Sequence, residues 1–238
     1  MKFTYFYIFL LMSLISFSQG INQFDANGKR HGIWKKTFDG TEILRYEGEF
    51  FHGKEIGLFK FYKNIRKKAV LTATKLFNKT DNSAYVTFLS SRGKLISEGK
   101  MNGKTYVGEW KYYHKRNDNL LTLEHYNPKG ILSGERFVYY ENGQIAEKQY
   151  YKAGKLDGIS VWFSEKNVIL KEFIYLNGEL NGVSKYYNPK GELITEGQYK
   201  KGKKYGIWKY YEKVTNCFDR AYWIVGCYLR FWCLGQGI

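Results

Sequence analysis

A short glycine frame that returns at a near-fixed interval constrains this chain more than any other feature. Gly-x-x-x-Gly followed by an aromatic-rich segment occurs at Gly28–Gly32, Gly53–Gly57, Gly154–Gly158, Gly178–Gly182 and Gly202–Gly206. The first glycines at 154, 178 and 202 are 24 residues apart. Gly130 keeps that step, and the earlier copies drift to 25–27. Gly103–Gly108 carries one extra residue, and the copy beginning at Gly130–Gly134 is shortened. A repeat of this length is a supersecondary unit that buries its apolar surface only against its neighbours.

Each unit reads as two strands. The closing glycine leads into a segment such as Ile207-Trp208-Lys209-Tyr210-Tyr211, and a turn follows, as in Tyr140-Glu141-Asn142-Gly143 or Tyr187-Asn188-Pro189-Lys190-Gly191. Asn-Gly is a strong hairpin signal because both residues tolerate positive φ. The return strand is Gly191 to Tyr199 in the same copy. Strand side chains alternate between faces, so positions two and four after the closing glycine share one. Those positions hold Trp34, Phe59, Trp110 and Trp208, then Phe61, Tyr112, Trp162, Tyr186 and Tyr210, with Ser160 and Ser184 completing the first column. This aromatic stripe is the expected apolar spine and the candidate binding face. The third position holds Lys35, Lys60, Lys111, Lys185 and Lys209 on the other face, opposite return-strand Glu98, Glu172 and Glu196. Cross-strand pairs of this kind contribute only about 0.2–1 kcal/mol each.

The Gly-x-x-x-Gly-x-Trp-x-x-Tyr…Asn-Gly pattern resembles the MORN-repeat variant of many bacterial proteins, some labelled antitoxin-like, over roughly residues 27–213. The resemblance implies an all-β fold: tandem hairpins of about 24 residues stacked into an elongated, twisted antiparallel sheet. It also implies non-enzymatic binding or scaffolding, with phospholipid and protein assembly as the associations of related repeats. Residues 63–92 depart from the period. Two apolar, β-branched segments there, 69–77 and 84–89, flank a polar linker and predict a diverged hairpin with a longer loop. No cap for the array is obvious before Asn27.

The ends differ from the middle. Residues 1–18 carry Lys2, a short apolar run and small residues before Gln19, as a cleavable signal peptide does, so the protein is expected to be exported. Residues 214–238 hold Cys217, Cys227 and Cys233 in an apolar, aromatic setting, and their role and disulfide state stay open. The formal charge is +16, and one net positive charge lies in each terminal segment, leaving +14 over residues 19–213. Aromatics at 19 % exclude a disordered chain, and two prolines exclude collagen.

Motifs for chemistry are missing. His31, His52, His114 and His125 form no HExxH, HxH or Cys/His pattern, so neither a metal nor a cofactor is expected. There is no Gly-x-Ser-x-Gly elbow, and the glycine frame lacks the ending of a phosphate loop. The expectation is a non-enzymatic, exported scaffold for a protein partner. The alternatives are a peripheral binder of anionic lipid or glycan and an antitoxin-like inhibitor. Nucleic acid is not expected, because the Lys and Arg residues are scattered rather than in runs. Oligomeric state is left open.

Overall fold

The computed structural model describes residues 20–211. The signal peptide expected at 1–18 and the cysteine-bearing tail at 214–238 lie outside the described residues. Within them the protein is all-β, with seventeen antiparallel strands and no helix.

The first of two compact units comprises β1 (Gln23–Phe24), β2 (Arg30–Thr37), β3 (Leu44–Phe51), β4 (Lys54–Ile65), β5 (Lys68–Phe77) and β6 (Ser83–Leu89). The second begins within β7 (Leu95–Asn102) and continues through β8 (Thr105–Tyr113), β9 (Leu120–Tyr126), β10 (Gly134–Tyr139) and β11 (Ile145–Lys152). It ends with β12 (Lys155–Leu156), β13 (Gly158–Phe163), β14 (Ile169–Leu176), β15 (Glu179–Tyr187), β16 (Leu193–Lys200) and β17 (Lys203–Tyr210). Inside each unit the strands follow as consecutive hairpins, with the two-residue β12 pairing on β11 beside β13.

The repeat shows in its irregularities as much as in its ladders. Across the glycine frame the outgoing strand carries two residues more than its partner: Glu47↔Lys60 is followed by Glu49↔Ile56, and Glu196↔Lys209 by Gln198↔Tyr205. The closing glycine sits inside each irregularity at positive φ, +66° for Gly57 and +68° for Gly206, which explains the residue type. A second bulge of one residue recurs four to five residues after the closing glycine: Phe61↔Ala73 then Tyr62↔Leu71, and Tyr186↔Thr195 then Tyr187↔Leu193. Bulges of this kind bend a strand and raise its twist locally. The first glycine of the frame ties one repeat to the preceding one. Gly53, Gly154, Gly178 and Gly202 donate their N–H groups to Arg30, Leu132, Leu156 and Leu180 carbonyls at 2.7–2.9 Å.

The Asn142-Gly143 turn differs from the sequence expectation. Gly143 alone takes positive φ (+84°). Its N–H donates to Tyr140 O while Tyr140 N–H donates to Gln144 O, so the loop has three residues rather than two. Two consecutive positive φ values occur at the links His52-Gly53, Ala153-Gly154, Asn177-Gly178 and Lys201-Gly202, and without any glycine at Arg66 (+51°) and Lys67 (+61°), in the tight turn between β4 and β5. Residues 63–92 thus contain the end of β4, all of β5 and β6, and a polar loop at 78–82.

Aromatic rings on glycines make the core. An added Cβ on Gly48 would lie 2.4 Å from the Phe59 ring, on Gly99 2.5 Å from Trp110, and on Gly197 2.3 Å from Trp208. The outgoing aromatic therefore lies flat over a return-strand glycine, and any side chain there would displace it. Two residues beyond that glycine a further large side chain closes the packing: Phe50, Met101 or Tyr199. In the first unit the rings run edge to face from Phe24 to Trp34, Phe50, Phe59 and Phe77, with centroids 5.1–5.8 Å apart. Each such pair contributes about 0.5–1.5 kcal/mol beyond its buried area. Phe24 and the preceding residues form the cap not recognised before Asn27: Trp34 donates its indole N–H to Gln23 O at 3.1 Å, and Asn22 Oδ1 accepts Lys35 N–H at 2.8 Å.

Candidate binding surface

The nine aromatics expected to form a binding face divide by depth. Phe59 and Trp110 are 1 % and 0 % exposed and Trp34 is also buried, so these three hold the sheet together. Phe61, Tyr112, Trp162, Tyr186 and Trp208 are half-buried, and Tyr210 is 63 % exposed. The second unit brings part of the fourth-position column into one ladder row: Glu147, Trp162, Lys171, Tyr186, Thr195 and Tyr210 stand opposite one another on β11 and β13 to β17. Aromatic and polar residues alternate along it, and with adjacent strands about 4.8 Å apart the rings recur at about 10 Å. Burial pushes the Tyr186 hydroxyl up to about 12, with a hydrogen bond to Tyr199 adding to it.

The buried row changes character where the repeat shortens. Arg136 stands two positions after Gly134, where the regular copies have a large ring. Its guanidinium donates to Glu124 Oε1 at 3.1 Å and Gln149 Oε1 at 3.0 Å, and Tyr126 donates to Glu124 Oε2 at 2.7 Å. Farther along, Ser160 and Ser184 flank Phe173 across the ladders, so the large residue has moved to the return strand.

The opposite face carries a hydrogen-bond pattern not anticipated from the Lys and Glu columns alone. Tyr62, Tyr113, Tyr187 and Tyr211, each five residues after a closing glycine, donate their hydroxyls to Glu47, Glu98, Glu172 and Glu196 at 2.6–3.0 Å. The Tyr62 hydrogen bond, with Lys60 and Lys35 behind it, holds the Glu47 carboxyl below its ordinary value. Burial first and Glu47 second push the Tyr62 hydroxyl up to about 12. Lys35 and Lys60 both approach Glu47, at 3.8 and 3.6 Å, and Lys209 reaches Glu196 at 3.1 Å. Much of the regular lysine column is thus offset by glutamate, and the basic excess falls on links and turns such as Lys201-Gly202-Lys203-Lys204.

The same face bears an apolar row in the first unit: Leu58, Leu76 and Tyr85 are direct cross-strand neighbours on β4, β5 and β6, and all three are about half exposed. The repeat glycines Gly28, Gly32, Gly158 and Gly182 also take positive φ, which accounts for glycine at these positions. Among the described residues, one group of side chains has metal-ligand chemistry: ligand atoms of Asp25, His31 and His52 lie within 4.8 Å of one another.

The geometry defines a tandem β-hairpin repeat protein whose rings pack on glycines. No known family model matches the chain. No curated protein matches it either.

Proposed function

We propose that this is a non-enzymatic, MORN-like repeat protein, exported by its N-terminal segment, that acts as a scaffold for a protein partner. The observation that carries the reading is the division within the aromatic stripe. The second-position rings Trp34, Phe59 and Trp110 are buried, while the row Trp162–Lys171–Tyr186–Thr195–Tyr210 stays partly open on a regular ladder. Rings that alternate with polar groups suit an extended peptide or a strand surface, where spaced apolar anchors fix position and polar groups between them fix orientation. The reading as an enzyme lacks support in the motifs of the chain.

The test is capture of partners from the source cells by the full chain, beside a Trp162→Ser/Tyr210→Ser version with unchanged circular dichroism. A discrete protein retained in high salt and lost in the double variant is the expected result. Recovery of lipid or glycan alone, and only at low salt, would overturn the scaffold reading. It would favour the second one, binding of an anionic lipid or glycan, for which the +14 of residues 19–213 is the supporting feature. An antitoxin-like role rests on the resemblance alone, and it predicts that the captured protein is a toxin.

A further inference from the structure

The Asp25–His31–His52 cluster draws side chains from three places: the β1–β2 turn, β2 and the β3–β4 link. Asp25 opens the turn between β1 and β2, His31 stands near the start of β2, and His52 lies in the link between β3 and β4. The turn presets the aspartate: Asn27 and Lys29 N–H groups donate to Oδ1, both at 2.9 Å. Oδ2 is left to face His52 Nδ1 at 2.6 Å. The His31 ring lies 5.0 Å from His52 and 5.5 Å from Phe51, centroid to centroid. Its Nδ1 is buried and has no hydrogen-bond partner among the described residues. A buried ring nitrogen without a partner is unfavourable in the metal-free protein, and a metal ion would satisfy it.

We propose that Asp25 Oδ2 and one ring nitrogen each of His31 and His52 form a binding site for a single divalent transition-metal ion of the Zn2+ type. Two imidazoles and one carboxylate select this class over Mg2+ and Ca2+, which take oxygen ligands. Tetrahedral Zn2+ with ligands at about 2.1 Å separates them by about 3.4 Å, so ligand atoms now up to 4.8 Å apart have to close by as much as about 1.4 Å, while Asp25 Oδ2 and His52 Nδ1, now 2.6 Å apart, open by about 0.8 Å if both ligate. The exposed His52 side chain supplies that movement. Three protein ligands leave a fourth position for water or a group from elsewhere. Asp25 is already oriented by backbone donors to its other oxygen, which is the support that a ligating carboxylate requires. The ion would pin the β1–β2 turn to the β3–β4 link and thereby fasten the cap of the first unit.

The test uses the full chain with Cys217→Ser, Cys227→Ser and Cys233→Ser, so that thiolates contribute nothing. The protein is stripped with chelator and titrated calorimetrically with Zn2+. The expected result is one ion bound per chain and a melting temperature raised by Zn2+. His52→Asn and His31→Gln should each weaken binding about 100-fold or more, since loss of supporting partners alone costs 10–100-fold. His125→Gln should leave it unchanged. Absence of saturable binding, or equal binding in wild type and in His52→Asn, would overturn the proposal. His52→Asn is the deciding variant if His31→Gln does not fold, because position 52 is exposed and asparagine accepts its φ of +48°.

Discussion

At the scale of the residue, glycine serves this protein for two unrelated reasons. Gly57 has open space around its Cα but a φ of +66°, so its role is conformational. Gly48 has ordinary φ but a ring against it, so its role is steric. The first kind was legible in the sequence because the spacing of its copies is fixed. The second was not recognised, although Glu47-Gly48, Glu98-Gly99 and Glu196-Gly197 repeat in the return strands. It is defined only by what lies across the ladder. The tyrosines five positions after the closing glycine were missed for the same reason. Tyr62 and Tyr187 have hydroxyls pushed up to about 12, by burial first and then by Glu47 and Glu172. Their neutral forms are favoured in the fold. That contribution is whole below the ordinary value of 10.0 and is lost as pH rises through about 12. Urea midpoints measured across this alkaline range should fall, and less steeply in Tyr62→Phe/Tyr187→Phe. An equal slope in both proteins would show that these hydroxyls are not coupled to folding.

At the scale of the element, the hairpins were legible and their turn chemistry only partly so. Asn142-Gly143 marked a turn correctly, yet the right-handed half of a three-residue loop accommodates Asn142, and only Gly143 needs the left-handed region. The two-residue turn at Arg66-Lys67, unlike the links at His52-Gly53 and Asn177-Gly178, carries no glycine or asparagine and so gave no turn signal. Holding two non-glycine residues at positive φ costs about 1 kcal/mol or more at each. Arg66→Asn/Lys67→Gly should therefore stabilise the protein by about 1 kcal/mol, read as a rise in the denaturant midpoint. Unchanged or lowered stability would mean that the cationic tip makes contacts worth the strain. The same logic explains the shortened copy: Arg136 occupies a ring position, and its ion pair and hydrogen bonds to Glu124 and Gln149 fill the space with a satisfied polar group.

At the scale of the whole molecule, the ladders within each unit join strands that are neighbours in sequence, except that β11 reaches past the two-residue β12 to β13, so stability accumulates repeat by repeat and the array needs its ends protected. The described start meets that need with β1, Phe24 and the Asn22 and Gln23 hydrogen bonds to the first tryptophan strand. This cap was hidden in the sequence because it lacks the glycine frame. The candidate surface was legible as a stripe but not in depth. Alternation placed the second- and fourth-position rings on one face, and only the packing reveals that the second-position rings Trp34, Phe59 and Trp110 lie out of reach. Rings seated on return-strand glycines are the central claim, and a double-mutant cycle between Gly197 and Trp208 tests it most directly, since the half-buried Trp208 tolerates truncation. In wild type, Gly197→Ala should cost about 1–3 kcal/mol by overpacking. In a Trp208→Ala background it should cost close to nothing, giving a coupling of similar size. An equal cost in both backgrounds would contradict the account.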